Sequence, residues 1–102
     1  MYVTQERQAA VNATSTETQP GLLRTQCFSI RAWQDPSVYP DVLGMLAKRG
    51  LIPSRLHASN VDGRDELHID FQVENITEAT AQAVAQNLRR LILVDTVMRC
   101  EK

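Results

Sequence analysis

The sequence lacks the features that mark several large functional classes. It has no apolar run near the roughly 18 residues that cross a bilayer. Its net charge of −1 at pH 7 provides no positive field to attract nucleic acid or an anionic membrane. Met1–Gln19 contains no basic segment followed by an apolar one, which a secretory signal requires. We therefore expect a cytoplasmic protein that binds neither nucleic acid nor membranes.

Motifs that carry catalytic or redox chemistry are also missing. The sequence has no nucleophile motif, no glycine-rich loop for a phosphate and no C-x-x-C pair. Cys27 and Cys100 stand far apart in sequence, and a reducing compartment argues against a disulfide between them. His57 and His68 have no third ligand at a recognisable spacing. We expect no catalytic site, no metal and no cofactor, and we interpret both cysteines as small side chains in or near a sheet.

The composition divides the chain into a tail and one domain. Residues 1–23 are rich in Thr, Gln, Ala and Glu and show no sustained period of 2 or 3.6. Such a segment buries too little apolar surface to offset its ordering entropy, and Pro20-Gly21 marks its end. We expect a flexible tail over residues 1–23 and a single domain over residues 24–102.

Alternation of apolar and polar residues predicts four strands in this domain. They span about Thr25–Trp33, Ser54–Val61, Glu66–Val73 and Leu93–Arg99. The third is the clearest, and Asp62-Gly63 before it is a hairpin signal. In the second strand, Leu56 and Ala58 should face the helices. His57 and Ser59 should then lie on the opposite face.

Two helices are expected between these strands. The first should begin after Ser37, because an earlier start would place Pro40 inside the helix. It should end before Gly50, which supplies a left-handed stop. The second should begin near Asn75 to Thr77, and Asn75 with Glu78 reads as a capping box. Their predicted apolar faces comprise Tyr39, Val42, Leu43 and Leu46 in the first helix, and Ala81, Val84, Ala85, Leu88, Leu91 and Ile92 in the second.

This order of elements, β-α-β-β-α-β, predicts an α+β, ferredoxin-like fold. It has a four-stranded antiparallel sheet with two helices on one face and right-handed crossovers. The other face stays open and would carry a partner or dimer surface at Arg31, Trp33, His57 and His68. The second and fourth strands are edges with unpaired backbone groups. A homodimer through sheet edges or helices is therefore expected.

The stretch Cys27–Arg99 resembles an ACT domain, and in particular the small, regulatory subunit of acetolactate synthase. As in that family, Asp35-Pro36 follows the first strand. Val42-Leu43-Gly44-Met45 and the helix end Lys48-Arg49-Gly50 also match its pattern. Leu93–Thr96, with the sequence LVDT, is similar to the segment that opens the last strand in these subunits. The resemblance implies an ACT-like fold and a regulatory role.

The resemblance also implies a mechanism. ACT domains of this kind pair side by side and bind an amino acid near the loop after the first strand, and the small subunit stimulates a thiamine-diphosphate catalytic subunit. An effector site would then include Asp35, Ser37, Val38 and Ile52. Ser37 stands where the family usually has a glycine, and Ile52 where it often has an asparagine. These departures, together with the missing N–H of Pro40, predict weak amino-acid binding.

Two functions remain open at this point. The first is a non-catalytic accessory subunit that binds and activates an acetolactate synthase catalytic subunit in branched-chain amino-acid biosynthesis. The second is a free-standing ACT domain that senses a small amino acid at a dimer interface. An RNA-binding module of the same topology is disfavoured, because His68, Asp70 and Gln72 stand where aromatic residues would stack bases.

Overall fold

The computed structural model describes residues 21–102, so most of the predicted tail lies outside the described residues. The elements are β1 (Arg24–Trp33), α1 (Val38–Lys48), β2 (Arg55–Val61), β3 (Glu66–Ile76), α2 (Glu78–Arg89) and β4 (Val94–Glu101). The strands are antiparallel and lie in the order β2-β3-β1-β4. This arrangement confirms the predicted ferredoxin-like α+β fold.

Both helices cover the same face of the sheet. Even-numbered residues of β1 and odd-numbered residues of β3 point into one apolar core. The helices contribute Val38, Val42 and Leu46 from α1, and Ala81, Val84, Ala85 and Leu88 from α2. Phe28 and Phe71 lie opposite each other in register and stack with ring centroids 4.8 Å apart. The alternation seen in the sequence therefore separates a covered face from an open one.

The ends of α1 agree with the prediction. The helix begins after Ser37 and ends before Gly50, whose φ is 70°. The N–H of Gly50 donates to the Ala47 carbonyl, and the N–H of Leu51 donates to the Leu46 carbonyl, both at 3.0 Å. These two bonds form a Schellman motif, in which the left-handed residue is usually glycine because a Cβ would be strained there.

The face that α1 buries differs from the predicted one. Tyr39 and Leu43 were expected in the core, but both are exposed. Val38, Val42 and Leu46, spaced four residues apart, form the buried stripe instead. Tyr39 and Leu43 each follow a buried residue by one position, which turns them about 100° around the helix. They therefore lie on the flank of α1.

The start of α2 corrects the predicted capping box. Asn75 belongs to β3 and adopts a φ of 58°. Thr77 caps the helix, and its Oγ1 accepts a hydrogen bond from the Thr80 N–H at 3.1 Å. Glu78 reaches β4 instead, where it binds Arg99 at 2.6 Å. The helix therefore begins at the end of the predicted range Asn75 to Thr77, and only the predicted capping box is wrong.

The predicted apolar stripe of α2 is correct up to Leu88, holds in part at Leu91, which packs against the core, and is wrong at Ile92. The helix ends at Arg89, so Leu91 is only half-buried and Ile92 is exposed. The chain then turns directly into β4, and the N–H of Trp33 donates to the carbonyl of Leu93 at 2.9 Å. A helical period cannot continue once the backbone leaves the helix.

β2 is the least covered element of the sheet. It joins β3 through a turn at Asp62–Asp65, and the register places Leu56 opposite Phe71. Leu56 and Ala58 therefore point to the helix side, as predicted. The residues Arg55–Asn60 are nevertheless all exposed, and Leu56 keeps 48% of its surface in solvent. β2 lies at the edge away from α2, which packs on β1 and β4.

Candidate functional site

The loop between β1 and α1 is where the resemblance implies an effector site. Asp35 in this loop bonds to its own backbone. Its Oδ1 accepts hydrogen bonds from the Ser37 hydroxyl at 2.7 Å and from the Ser37 N–H at 2.9 Å. The hydroxyl bond first, and then the backbone bond, hold the pKa of Asp35 below its ordinary value. A carboxylate of the chain itself thus occupies the helix N-terminus, where an anion is favoured.

Few backbone donors remain in the first turn of α1. The Val38 N–H donates to the Asp35 carbonyl at 3.1 Å, and Pro40 has no N–H. Among the first three helical residues, this leaves at most the N–H of Tyr39. A tightly held carboxylate commonly accepts two or three backbone N–H bonds. The first turn is therefore poorly equipped to bind a free amino acid.

The other two predicted effector positions lie in contrasting surroundings. Val38, the first residue of α1, is buried in the core. Ile52 lies in the segment between α1 and β2 and is 82% exposed. Neither side chain has a polar group for a ligand. Within one copy of the chain, these positions add apolar contact only, and completion of the site by a second copy stays a prediction.

The face of the sheet opposite the helices carries every residue predicted for a partner surface. The register places His57 opposite Asp70 and His68 opposite Arg31. Because directly opposite residues share a face, both histidines lie on the open side. Trp33 lies at the end of β1 on this same face and is 60% exposed. The sheet thus brings together residues from β1, β2 and β3 that are far apart in sequence.

Polar contacts order the middle of this open face. The Ser29 hydroxyl donates to Asp70 Oδ1 at 2.7 Å. His68 Nε2 lies 3.4 Å from Glu66 Oε1, but the two atoms are not aligned as a hydrogen bond. A depression of about 320 Å³ lies beside Arg31, His68 and Asp70. The open face therefore presents the positive charge of Arg31 beside the negative charges of Asp70 and Glu66.

The free edge of β2 is the second exposed feature. The N–H of Gln34 donates to the Asp65 carbonyl at 3.0 Å. Because hydrogen-bonded and non-hydrogen-bonded pairs alternate along antiparallel strands, this bond shows which residues of β1, β3 and β2 bond to which neighbouring strand. In this pattern, alternate residues of β2 direct both backbone groups away from β3. These residues are Leu56, Ala58 and Asn60. An edge of this kind is a template for pairing with another strand.

Two pairings across β1 and β4 were not evident from the sequence. Cys27 lies directly opposite Cys100. Gln26, which the sequence analysis did not assign to a face, is 1% exposed. Its Nε2 donates to Glu101 Oε2 at 3.1 Å. The sequence did not predict this register, because pairing the predicted first and last strands centre to centre would place Cys27 opposite Met98.

The described residues lack two further kinds of site. No group of three or more His, Cys, Asp or Glu side chains within residues 21–102 is placed to hold a metal ion. Over the same range, no helix has both the length and the apolar character needed to cross a membrane.

Comparison with known proteins supports one family. A family model described as an ACT-like domain matches residues 23–101. The structure is similar to the ACT domain from GTP pyrophosphokinase of Chlorobium tepidum, with a TM-score of 0.67 and 13% identity over 78% of this chain and 100% of that one. A search of curated proteins gives no match.

Two larger proteins contain a similar fold. A homoserine dehydrogenase from Thiobacillus denitrificans has a TM-score of 0.70 and 17% identity over 89% of this chain and 20% of that chain. The regulatory subunit of aspartate kinase from Thermus thermophilus has a TM-score of 0.61 and 17% identity over 76% of this chain and 51% of that chain. Likeness at this identity shows the fold alone. Because the family model matches nearly all of the described residues, the chain belongs to the ACT-like domain family, a family of regulatory domains.

Proposed function

We propose that this domain is a non-catalytic accessory subunit that pairs with a second copy of itself and activates an acetolactate synthase catalytic subunit. The link to that enzyme is supported by the sequence resemblance at Asp35-Pro36, Lys48-Arg49-Gly50 and Leu93–Thr96. The fold supports a binding role, because it leaves one strand edge and one sheet face uncovered.

The exposure of β2 is the observation that carries this proposal. Its residues Arg55–Asn60 are exposed on both faces, although β3 pairs with the strand along its length. Leu56, Ala58 and Asn60 also direct backbone groups outward, and such groups need partners if they are buried. Antiparallel pairing of two β2 strands about a two-fold axis would satisfy them and cover Leu56.

The open face is then left for the catalytic subunit. Trp33 and Met98 are both about 60% exposed there, and Arg31 lies between them along the sheet. Tryptophan, methionine and arginine are enriched at protein interfaces, and tryptophan and arginine at their energetic centres. We place the enzyme contact around Trp33 and Arg31, with His57 and His68 as its polar flank.

Amino-acid sensing at the dimer interface is the second candidate. The exposure of Ile52 favours it, because a residue that covers a ligand between two copies would be uncovered in one copy. The occupied helix N-terminus weighs against it, since Asp35 already accepts the Ser37 N–H. A second copy would have to supply the missing donors for the ligand carboxylate.

A mixing assay tests the accessory role. The protein is added to an acetolactate synthase catalytic subunit from the same source, and activity is followed with and without valine. We expect stimulation that valine does not reverse. Trp33→Ala should abolish the stimulation, whereas Tyr39→Ala, which removes an exposed aromatic residue on α1, should preserve it. Absence of both stimulation and complex formation contradicts the accessory role, and stimulation reversed by valine establishes sensing.

Sedimentation analysis tests the pairing separately. We expect the chain to be a dimer at micromolar concentration. Ala58→Pro removes an outward N–H from the β2 edge, a position where a sheet tolerates proline, and should give a folded monomer. Asp95→Pro at the irregular start of β4 on the other edge is the matched control and should remain dimeric. A monomeric wild-type protein would show that the proposed pairing is wrong.

A further inference from the structure

The two cysteines of the sequence lie next to each other in the sheet. Cys27 in β1 and Cys100 in β4 are direct register partners. Directly opposite residues share a face, so both thiols lie on the open side, away from the helices. Both are free, and Cys27 is half-buried while Cys100 is exposed. A dissolved reagent can therefore reach the pair.

The backbone at this pair brings the two cysteines within range of a strained disulfide. The N–H of Lys102 donates to the Thr25 carbonyl at 2.9 Å. Thr25 and Lys102 are thus a hydrogen-bonded pair, and Cys27 and Cys100, two residues along, are the next such pair. The Cα atoms of such a pair lie about 5.5 Å apart, within the roughly 4.4–6.8 Å that disulfides span. The Cβ atoms of such a pair lie about 5.5 Å apart, which exceeds the roughly 3.5–4.5 Å that a disulfide spans. Joining the two sulfurs would therefore draw β1 and β4 together locally and strain the bond, and a strained disulfide is readily reduced.

The surroundings distinguish the two thiols. Burial raises the pKa of Cys27, and the hydrogen bond to Cys100 raises it further. Cys27 Sγ also lies 3.8 Å from Gln72 Oε1. Cys100 stands on the edge strand and is the more accessible sulfur. Cys100 is therefore suited to meet an external reagent first, and Cys27 to resolve the product.

We propose that Cys27 and Cys100 form a reversible disulfide that fastens the edge strand β4 to β1. The oxidant is a low-molecular-weight disulfide. The Cys100 thiolate attacks one of its sulfurs, so that a mixed disulfide forms and one small thiolate leaves. The Cys27 thiolate then attacks Cys100 Sγ, and the second small thiolate leaves as the protein bridge forms. The cysteines lose two electrons, which reduce the small disulfide, and their two protons pass to the leaving thiolates.

The bridge would act on an edge of the sheet. Within residues 21–102, β4 is an edge strand that pairs with β1 alone. A link between residues 27 and 100 closes nearly all of the described chain into one loop, which lowers the entropy of the unfolded state. The link also reduces fraying of the last strand. Oxidation should therefore stabilise the domain without changing its fold.

Mass spectrometry of the whole chain tests this proposal. The protein is treated with glutathione disulfide, quenched in acid and then alkylated with a maleimide. We expect a monomer with no glutathione attached and neither cysteine alkylated, and dithiothreitol should restore both thiols. The oxidised protein should melt about 10 °C above the reduced protein. Cys27→Ser and Cys100→Ser are the matched controls, and neither should show this increase.

Other outcomes would overturn the proposal. Stable glutathione adducts on both cysteines would show that the two sulfurs cannot reach each other. Covalent dimers in place of bridged monomers would show that the reactive partner is on another chain. Two alkylated thiols after oxidation would show that the pair does not react. An internal disulfide that does not raise the melting temperature would show that the bond does not stabilise the attachment of β4 to β1.

Discussion

β2 and β3 are hydrogen-bonded neighbours that each turn alternate residues toward the helices, yet only the helix-side residues of β3 are buried. Ile69 and Phe71 in β3 are each 2% exposed. Ala58 and Leu56 lie directly opposite them, on the same face, and are exposed. β3 has a strand on both sides and contributes to the core beneath the helices, whereas β2 has a strand on one side only. Alternation therefore indicates which face a side chain takes, and tertiary position decides whether that face is covered.

The difference between β3 and β2 separates buried residues, which stabilise the fold, from exposed residues, which are available to contact a partner. Buried apolar groups each contribute about 1.5–3 kcal/mol relative to exposure, so the β3 side of the hairpin stabilises the monomer. The β2 side contributes little until something covers it. Substitutions at paired positions on these two strands can therefore test both the fold and the proposed pairing.

The largest expected effect comes from placing a charge in the core. Leu88 in α2 is 0% exposed, and Leu88→Asp should destabilise the domain by about 4 kcal/mol or more, because it buries an unpaired carboxylate and loses apolar contacts. Leu56→Asp on the exposed β2 strand should leave the monomer folded. Circular dichroism with urea titration measures both changes. A folded Leu88→Asp variant would show that the placement of α2 is wrong.

The register partners Phe71 and Leu56 give the sharpest comparison. Phe71→Ala should destabilise the monomer by about 3–5 kcal/mol, because it leaves a cavity and removes the stack on Phe28. Leu56→Ala should lower stability by about 1 kcal/mol or less, because the side chain is already half-exposed. Equal losses, measured on monomers at low protein concentration, would contradict the difference in burial between β2 and β3.

The two helix starts extend the comparison to smaller effects. Thr77 Oγ1 accepts the Thr80 N–H, and Thr77→Ala should lower stability by about 1 kcal/mol through loss of this cap. Ser37 makes no side-chain cap bond, and its hydroxyl bonds to Asp35 in solvent. Ser37→Ala should therefore lower stability by less than Thr77→Ala does. Chemical denaturation of both variants measures the order, and a reversed order would contradict these assignments.

The smallest expected effect depends on pH. The hydrogen bond from Arg99 lowers the pKa of Glu78 in the folded protein. The pair therefore stabilises the fold fully above the ordinary pKa of glutamate, and this contribution is lost as pH falls through the lowered value. Glu78→Gln should flatten the decrease in stability at acid pH. Urea midpoints measured from neutral to acid pH test this, and identical profiles would show that the pair contributes nothing.

Much of the fold could be predicted from the sequence because its signals are local. The strand alternation, the helix end at Gly50 and the turn at Asp62-Gly63 each depend on neighbouring residues. Errors arose where a local pattern competed with tertiary packing. The Asn75–Glu78 pattern fitted a capping box, but β3 extends through Asn75 and Glu78 binds β4. Tyr39 and Leu43 fitted an apolar face that the sheet does not meet.

The candidate site was less predictable than the fold. That Arg31, His57 and His68 share a face follows from strand alternation and the order of strands, and both were readable in the sequence. The state of the first loop was not readable, because the Asp35 carboxylate turns onto Ser37 only in one backbone conformation. The sequence indicated weak effector binding from Ser37 and Pro40, and the structure adds Asp35 as a further physical reason.

The sequence by itself determined the element order, the two faces of each strand and the resemblance to ACT domains. These features depend on residue type and on spacing between near neighbours, and neither depends on contacts with distant parts of the chain. The tertiary structure alone decided that Leu56 stays uncovered and that Cys27 meets Cys100. Such features depend on which strand ends at an edge and on register between strands distant in the chain, and both are set only when the whole sheet has packed against its helices.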